Sequence, residues 1–484
     1  MLFSRGQKIS PNNYDAVIIG SGLSGMTCAN VLAKGGRKVL LLEAHNKLGG
    51  FATWFFRADK KIIFDVSLHG FPAGMIKTCK RYWSKEIANL IVQLKDIRFV
   101  NPQFELKTDY TKVDFKKILI EKFNIQPSTV DEFFQFIEGM NFYDNSQMTN
   151  GELFEKFFPG RNDVIRLLME PITYANGSTL TDPALTYGIV FSNFMGSGVY
   201  TFEGGTDHLI KMMRDELLNN GVDIKLNAKV KKIHIEGNRV TGVATEDDHI
   251  NTSVIVSNAN LYKTIFELTG EQYFETSFLS KAKSVRMNSS SCQVYMSFKK
   301  DFKLPHIGDL IFTSKDPNYD AKKLLSHHTT SRTFSVYYPE TRPEQNMPTT
   351  VVASTNANYQ DWKNLSEQDY EFHKNKLIED TIKAFDEIVP DASKYIEHIE
   401  AATPLTIERY THHQHGASFG TKFEGLEVST KLHEQISGLY HSGSVGIIMS
   451  GWLGAANYGV IQSNQVESYL LKQEHHNLAQ EGNI

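Results

Sequence analysis

A chain of 484 residues is long enough for about two to four folding units of ordinary size. With 41% hydrophobic, 11% aromatic and 22% charged residues it has the composition of a globular protein, which excludes a disordered chain and a many-spanning membrane bundle. A net charge of −4 offers no basic excess to neutralise phosphates, so nucleic acid is not an expected partner.

The three cysteines, Cys28, Cys79 and Cys292, form no C-x-x-C pair and suit a reducing compartment. The first dozen residues lack the apolar core of a secretory signal, and no charge-free apolar run reaches the roughly 18 residues a spanning helix needs. A cytosolic protein is expected, with a peripheral membrane contact left open.

Tyr14 to Ile19 (YDAVII) reads as a buried strand running directly into a glycine cluster, GSGLSG. Apolar residues at helical spacing follow to Lys34, a Gly35-Gly36 stop comes next, and KVLLL closes on Glu43, completing one βαβ unit. MIKTCKRYWSKEIANLI (75–91) reads as one basic amphipathic helix, with Ile76, Cys79, Trp83, Ile87 and Leu90 on one face. Such a helix suits either a headgroup layer or a lid. From about Leu90 to Phe158 long Phe- and Lys-rich segments predict a helical insertion without strands. Residues 183–202 (PALTYGIVFSNFMGSGVYTF) are apolar and aromatic, and suit either core packing or the wall of a lipophilic pocket.

Alternation returns over 222–259 and predicts a meander, with Gly237-Asn238 as its hairpin turn. Strands at CQVYMSFKK, RTFSVYYPE and TTVVASTNA and the helical LIEDTIKAFDEIV form a separate α+β region. The last fifty or so residues carry another glycine-rich strand-to-helix unit.

The G-x-G-x-x-G string is weak evidence alone, but here it joins a strand to a helix and precedes Glu43 at the end of the next strand. Gly20 permits the tight turn, Gly22 lets backbone approach a pyrophosphate, and Gly25 allows close helix-strand packing. Glu43 would accept hydrogen bonds from a ribose. NAD and FAD share this fingerprint; the second pair, Gly49-Gly50, resembles the extension of two-domain FAD oxidoreductases and favours FAD. His412, His413 and His415 have no cysteine or carboxylate at ligand spacing, so an exposed loop is expected and no metal. His327 and His328, as neighbours on an extended segment, should point in opposite directions.

Taken together, VIIGSGLSGMTCANVLAKGGRKVLLLEAHNKLGG, FDVSLHGF, FEGGTDHLIKMMRDEL, TPLTIERYTHHQHGASFG, GLYHSG and GAANYG resemble the amine-oxidase-like flavoproteins. Within them, the likeness is to the group of phytoene desaturases, carotenoid cis-trans isomerases and retinol saturases. The resemblance covers most of the chain. It implies backbone contact with the adenine side at Val230, and approach to the pyrophosphate and flavin at Gly443 and at the helix holding Gly454 and Gly459. The chain departs at Phe51, where many relatives have arginine, and at Ser67, where the motif has glycine. The first removes a positive charge from the cofactor site.

The fold expected is α/β: a Rossmann-type FAD-binding domain interleaved with an α+β substrate domain and a helical insertion. Its parts are 1–75, 196–262 and 426–484 for FAD, 76–195 for the insertion with the substrate and membrane region, and 263–425 for the substrate domain. The function implied is FAD-dependent action on carbon-carbon bonds of a long lipophilic polyene or isoprenoid, as desaturation, saturation or isomerisation. Amine or porphyrinogen oxidation, and a non-catalytic FAD protein that binds lipid, stay open. His69 is the first candidate for a polar group at the reacting end, His441 a second possible cofactor-facing histidine, and Glu408 with Arg409 more distant ones. Hydride transfer to flavin needs no strong base, which fits the lack of an evident triad. The partners expected are a lipophilic small molecule and a membrane surface; oligomeric state is left open.

Overall fold

The strand Ala16–Ile19 is wholly buried and lies inside a six-stranded sheet, as its unbroken apolar sequence requires. The order across this sheet is Leu2–Phe3, Asp223–Lys225, Val39–Leu42, Ala16–Ile19, Ile255–Ser257 and Leu439–His441, and every pair is parallel. Strands from the two ends and the middle of the chain thus build one Rossmann-type layer, with the helices Leu23–Lys34, Gly205–Asn219 and Gly451–Glu481 packed against one face. The computed structural model describes residues 1–3, 14–57, 59, 61–140, 147–343 and 347–481.

A second, seven-stranded sheet runs Ile396–Ala402, Ser290–Phe298, Thr350–Ala357, Arg332–Tyr337, Leu310–Thr313, Ile97–Val100 and Glu105–Thr108. Its pairs are antiparallel except Leu310–Thr313 with Ile97–Val100. The last two strands correct the expectation of a strand-free insertion. Each is only four residues long, and Ile97–Val100 finds its parallel partner more than 200 positions away. A third short strand, Ile91–Gln93, pairs antiparallel with Val199–Phe202; the remaining elements of the insertion are helical, and its phenylalanines form a core shared with the sheet, Phe99 stacking on Phe312 at 4.8 Å.

The run 222–259 is divided rather than forming one meander. Lys232–Glu236 and Arg239–Ala244 make the hairpin across Gly237-Asn238, while Asp223–Lys225 and Ile255–Ser257 join the parallel sheet.

Segment 75–91 is corrected most strongly. It folds as two helices, Gly74–Tyr82 and Lys85–Asn89, because Ser84 is extended and its side chain caps the second by accepting from the Ile87 N–H. The break turns Trp83 inward: it is 3% exposed, and its indole N–H donates to Thr27 Oγ1 of the nucleotide helix. Cys79 and Ile87 share that core. The Cys79, Trp83 and Ile87 part of the apolar face therefore meets protein.

Candidate active site

One cavity of about 1360 Å³ opens at the C-terminal ends of the parallel strands and continues to the seven-stranded sheet. At its first end the backbone turns are too tight for side chains. A Cβ on Gly22 would lie 2.5 Å from Asn258 Oδ1, one on Gly50 2.9 Å from Gly22 Cα, and Gly22 and Gly49 pair as a short parallel bridge. Bare backbone at the start of Leu23–Lys34, with its N–H groups and the helix dipole, is the arrangement that receives a diphosphate. Ser24, buried in the first turn and part of the wall, has a hydroxyl without a partner among the described residues.

Glu43 ends the neighbouring strand. Its carboxylate accepts from the Ser21 N–H at 2.8 Å and the His45 N–H at 2.7 Å, and so joins the glycine turn to the loop leading to Gly49. Gly20, Gly22, Glu43, Gly49, Gly50, Val230 and Gly454 all line the cavity. Gly25 sits behind the turn, where a Cβ would meet Gly20 O at 2.2 Å. Gly443 and Gly459 lie elsewhere. A Cβ on Gly443 would strike Ala259 O, and one on Gly459 would strike Ser24 O, where the C-terminal helix crosses the nucleotide helix. Their lack of a side chain permits these close approaches.

These residues fit FAD: a diphosphate-sized cradle, an acid beside it at ribose position, and a cavity larger than the roughly 300–1,000 Å³ of an ordinary single-ligand pocket. The sequence family described as flavin containing amine oxidoreductase matches residues 23–398. The chain belongs to this family. The all-trans-retinol 13,14-reductase of Macaca fascicularis is 20% identical over 94% of this chain and 86% of its own length. The 1-hydroxycarotenoid 3,4-desaturase of Flavobacterium sp. (strain P99-3) is 23% identical over 88% and 94%. The fold is also that of an oxidoreductase from Methanosarcina mazei, with a TM-score of 0.67 at 14% identity over 94% of this chain and 100% of that one. The protein is an FAD-dependent oxidoreductase, and FAD is its cofactor. When bound, FAD supplies hydride chemistry; Gly22, Gly49, Gly50 and the first turn of Leu23–Lys34 would hold its diphosphate and Glu43 its ribose.

His69 reaches the cavity from the loop after Ile62–Asp65. Both ring nitrogens are occupied: Nδ1 lies 2.9 Å from Ser335 Oγ, and Nε2 lies 3.2 Å from Ser354 Oγ and 3.4 Å from Gln293 Nε2. The Gln293 oxygen accepts from Tyr295, so its N–H faces Nε2 and leaves the His69 proton on Nδ1. Burial pushes His69 down to about 4, so the ring is neutral. His441 is likewise saturated, between Ser429 Oγ at 2.6 Å and Ala259 O at 2.9 Å, and burial again pushes it down to about 4.

The histidine loop differs from expectation. His412 is exposed, but His413 turns onto the cavity wall with its ring edge-on to Phe51 at 6.0 Å, and His415 stacks on Tyr359 at 5.1 Å. Glu408 accepts from Tyr359 OH, whereas Arg409 borders the cavity. His327 and His328 occupy a turn, not an extended segment, so their rings lie 4.0 Å apart, and His373 stands 4.4 Å from His327. Among the described residues no group of three His, Cys, Asp or Glu is placed to hold a metal ion.

Of residues 183–202, Tyr187 and Phe191 fill the core, while Ile189, Val190, Phe194 and Val199 line the cavity, so both readings of that stripe apply to different faces.

Proposed function

We propose that this protein acts on carbon-carbon bonds of a long lipophilic polyene or isoprenoid, by desaturation, saturation or cis-trans isomerisation. The observation that carries this reading is the apolar part of the cavity wall, where Ile172, Val190, Phe194, Val199, Leu310 and Phe312 all belong to one hydrophobic cluster. An ammonium substrate packed against these six side chains would find no counter-ion among them, at the cost of desolvating its charge. A hydrocarbon chain loses nothing there and gains roughly 25 cal/mol for each Å² it buries. The relatives named for retinol and for a hydroxycarotenoid support the same class. In this reading Gly20, Gly22, Gly25, Glu43, Gly49, Gly50, Val230 and Gly454 form or support the cofactor cradle. His69 holds the polar sheet residues Ser354 and Gln293 on the cavity wall.

Holoprotein purified gently should carry a polyene or isoprenoid lipid identifiable by mass spectrometry, and anaerobic addition of that lipid class should perturb the flavin absorption. Bleaching of the flavin by a primary amine, with no response to any polyene, would overturn the reading.

Such a substrate is collected from a bilayer, and no helix among the described residues is long and apolar enough to cross one. The surface best suited to an anionic interface is the outer face of Gly74–Tyr82, where Lys77, Lys80 and Arg81 rim a shallow basin beside Ile76. Each base near an anionic surface contributes about 1 kcal/mol. Phosphatidylserine liposomes should float the wild type, salt should weaken this, and Lys77→Glu with Lys80→Glu and Arg81→Glu should abolish it. Flotation unchanged by the triple substitution removes this face from consideration.

A further inference from the structure

The two histidines that the sequence singles out beside the flavin, His69 and His441, have no nitrogen to spare. His413 differs. Its Nδ1 stands 3.1 Å from the Ala417 carbonyl, which can only accept, so the proton sits on Nδ1. Nε2 is then an open acceptor with no partner among the described residues, on a ring that forms part of the cavity wall.

The fold holds this ring with care. The helix Pro404–Thr411 starts at a Thr403 capping box and stops at His412, which takes a left-handed φ of 57°; His415 takes another at 58°. Two non-glycine residues in this region are strained, and such strain persists where the surroundings fix it. Here Gly416 O accepts from Ser290 Oγ at 2.6 Å and the Ser418 N–H donates to Ser289 O at 3.0 Å, tying the loop to the start of Ser290–Phe298, the second strand of the seven-stranded sheet. On its other side His413 meets Phe51, the residue directly after Gly49-Gly50. The ring thus stands at the junction of cofactor cradle and substrate sheet. His45 and His412 also border the cavity, but His45 follows Glu43 at the ribose position and His412 is on the surface.

We infer that His413 is the proton-exchanging residue of the carbon-carbon chemistry, with Nε2 as the exchanging atom. This rests on the polyene reading above. In desaturation Nε2 would take the proton from one substrate carbon, the electrons of that C–H bond becoming the new π bond as the adjacent carbon loses a hydride, for which FAD, when bound, would supply the two-electron acceptor. Saturation is the reverse, with the proton returning from Nε2. Burial and the nearby Lys263 favour the neutral ring, which is the form able to accept.

Two measurements on FAD-loaded protein test this. Diethyl pyrocarbonate labelling, mapped by peptide mass spectrometry, should modify His413 but not His69 or His441, and all-trans-retinol should protect His413. In anaerobic mixing with all-trans-retinol, lycopene or geranylgeraniol, in both flavin oxidation states, His413→Gln should slow the wild-type flavin reaction about 100-fold or more, with partial rescue by imidazole. FAD content should be unchanged, since glutamine can still donate to Ala417. If His413 resists labelling as His69 does, or if His413→Gln reacts at the wild-type rate, the inference falls and the polyene reading stands. If none of the three lipids perturbs the wild-type flavin, the polyene reading falls and takes the inference with it.

Discussion

Replacing Arg342 by methionine should lower the free energy of unfolding by about 3–5 kcal/mol. The guanidinium is 4% exposed and lies 2.6 Å from Asp65, itself 2% exposed, and its other arm reaches Asp207 and the Gly204 carbonyl. Asp65 Oδ1 in turn accepts from the Thr206 N–H at 2.7 Å. Removing the guanidinium takes from the buried Asp65 carboxylate and from Asp207 a charged partner that each has in the folded state, so the loss exceeds what the ion pairs themselves contribute. Asp65 ends the strand that leads to His69, and Thr206 opens the helix Gly205–Asn219, so the cluster fastens the His69 loop to the nucleotide domain. Denaturant unfolding followed by flavin fluorescence gives the number. Adding Asp65→Asn and Asp207→Asn to Arg342→Met should recover part of the loss. A single-variant effect below about 1 kcal/mol would mean that water already reaches the cluster.

No sequence signal announced this cluster, because Asp65 and Arg342 are 277 positions apart and neither belongs to a periodic pattern. What was legible obeys short-range rules. The βαβ unit, Gly49-Gly50 and Glu43 declare themselves through sterics within thirty or so residues, and the hairpin at Gly237-Asn238 through its turn chemistry. What was not legible depends on distant partners. Ile97–Val100 is too short to read as a strand until Leu310–Thr313 is beside it. The amphipathic pattern around Trp83 was real, but a pattern reports an apolar face and not what covers it; here the nucleotide helix does. His413 looked like one of three loop histidines because its distinguishing feature, a ring proton fixed by the Ala417 carbonyl, is a property of three-dimensional geometry alone.

Gly25→Ala should weaken FAD binding by roughly 5- to 150-fold while leaving the chain folded. The new Cβ would lie 2.2 Å from the Gly20 carbonyl oxygen and 3.0 Å from Asn258 Cβ. Neither neighbour can yield cheaply: the Gly20 N–H donates to Leu42 O at 2.8 Å, and the Asn258 N–H to Ile19 O at 2.7 Å, so both are backbone-anchored in the parallel sheet. The helix Leu23–Lys34 must lift instead, and overpacking of this kind costs about 1–3 kcal/mol. Its first turn would carry Gly22 away from Gly49 and Ser21 away from Glu43, opening the cradle the diphosphate needs. Much of the cost therefore falls on cofactor affinity, because the cofactor requires the closed turn whereas the rest of the sheet does not. Gly139→Ala is the control: it lies at a helix end with φ of −74°, its Cβ would meet nothing closer than 3.4 Å, and FAD affinity should be unchanged. Titration of apoprotein with FAD, followed by flavin fluorescence, separates the two. A Gly25→Ala affinity within twofold of wild type would show that the turn absorbs a methyl group, and that close helix-strand packing is not what shapes the cradle.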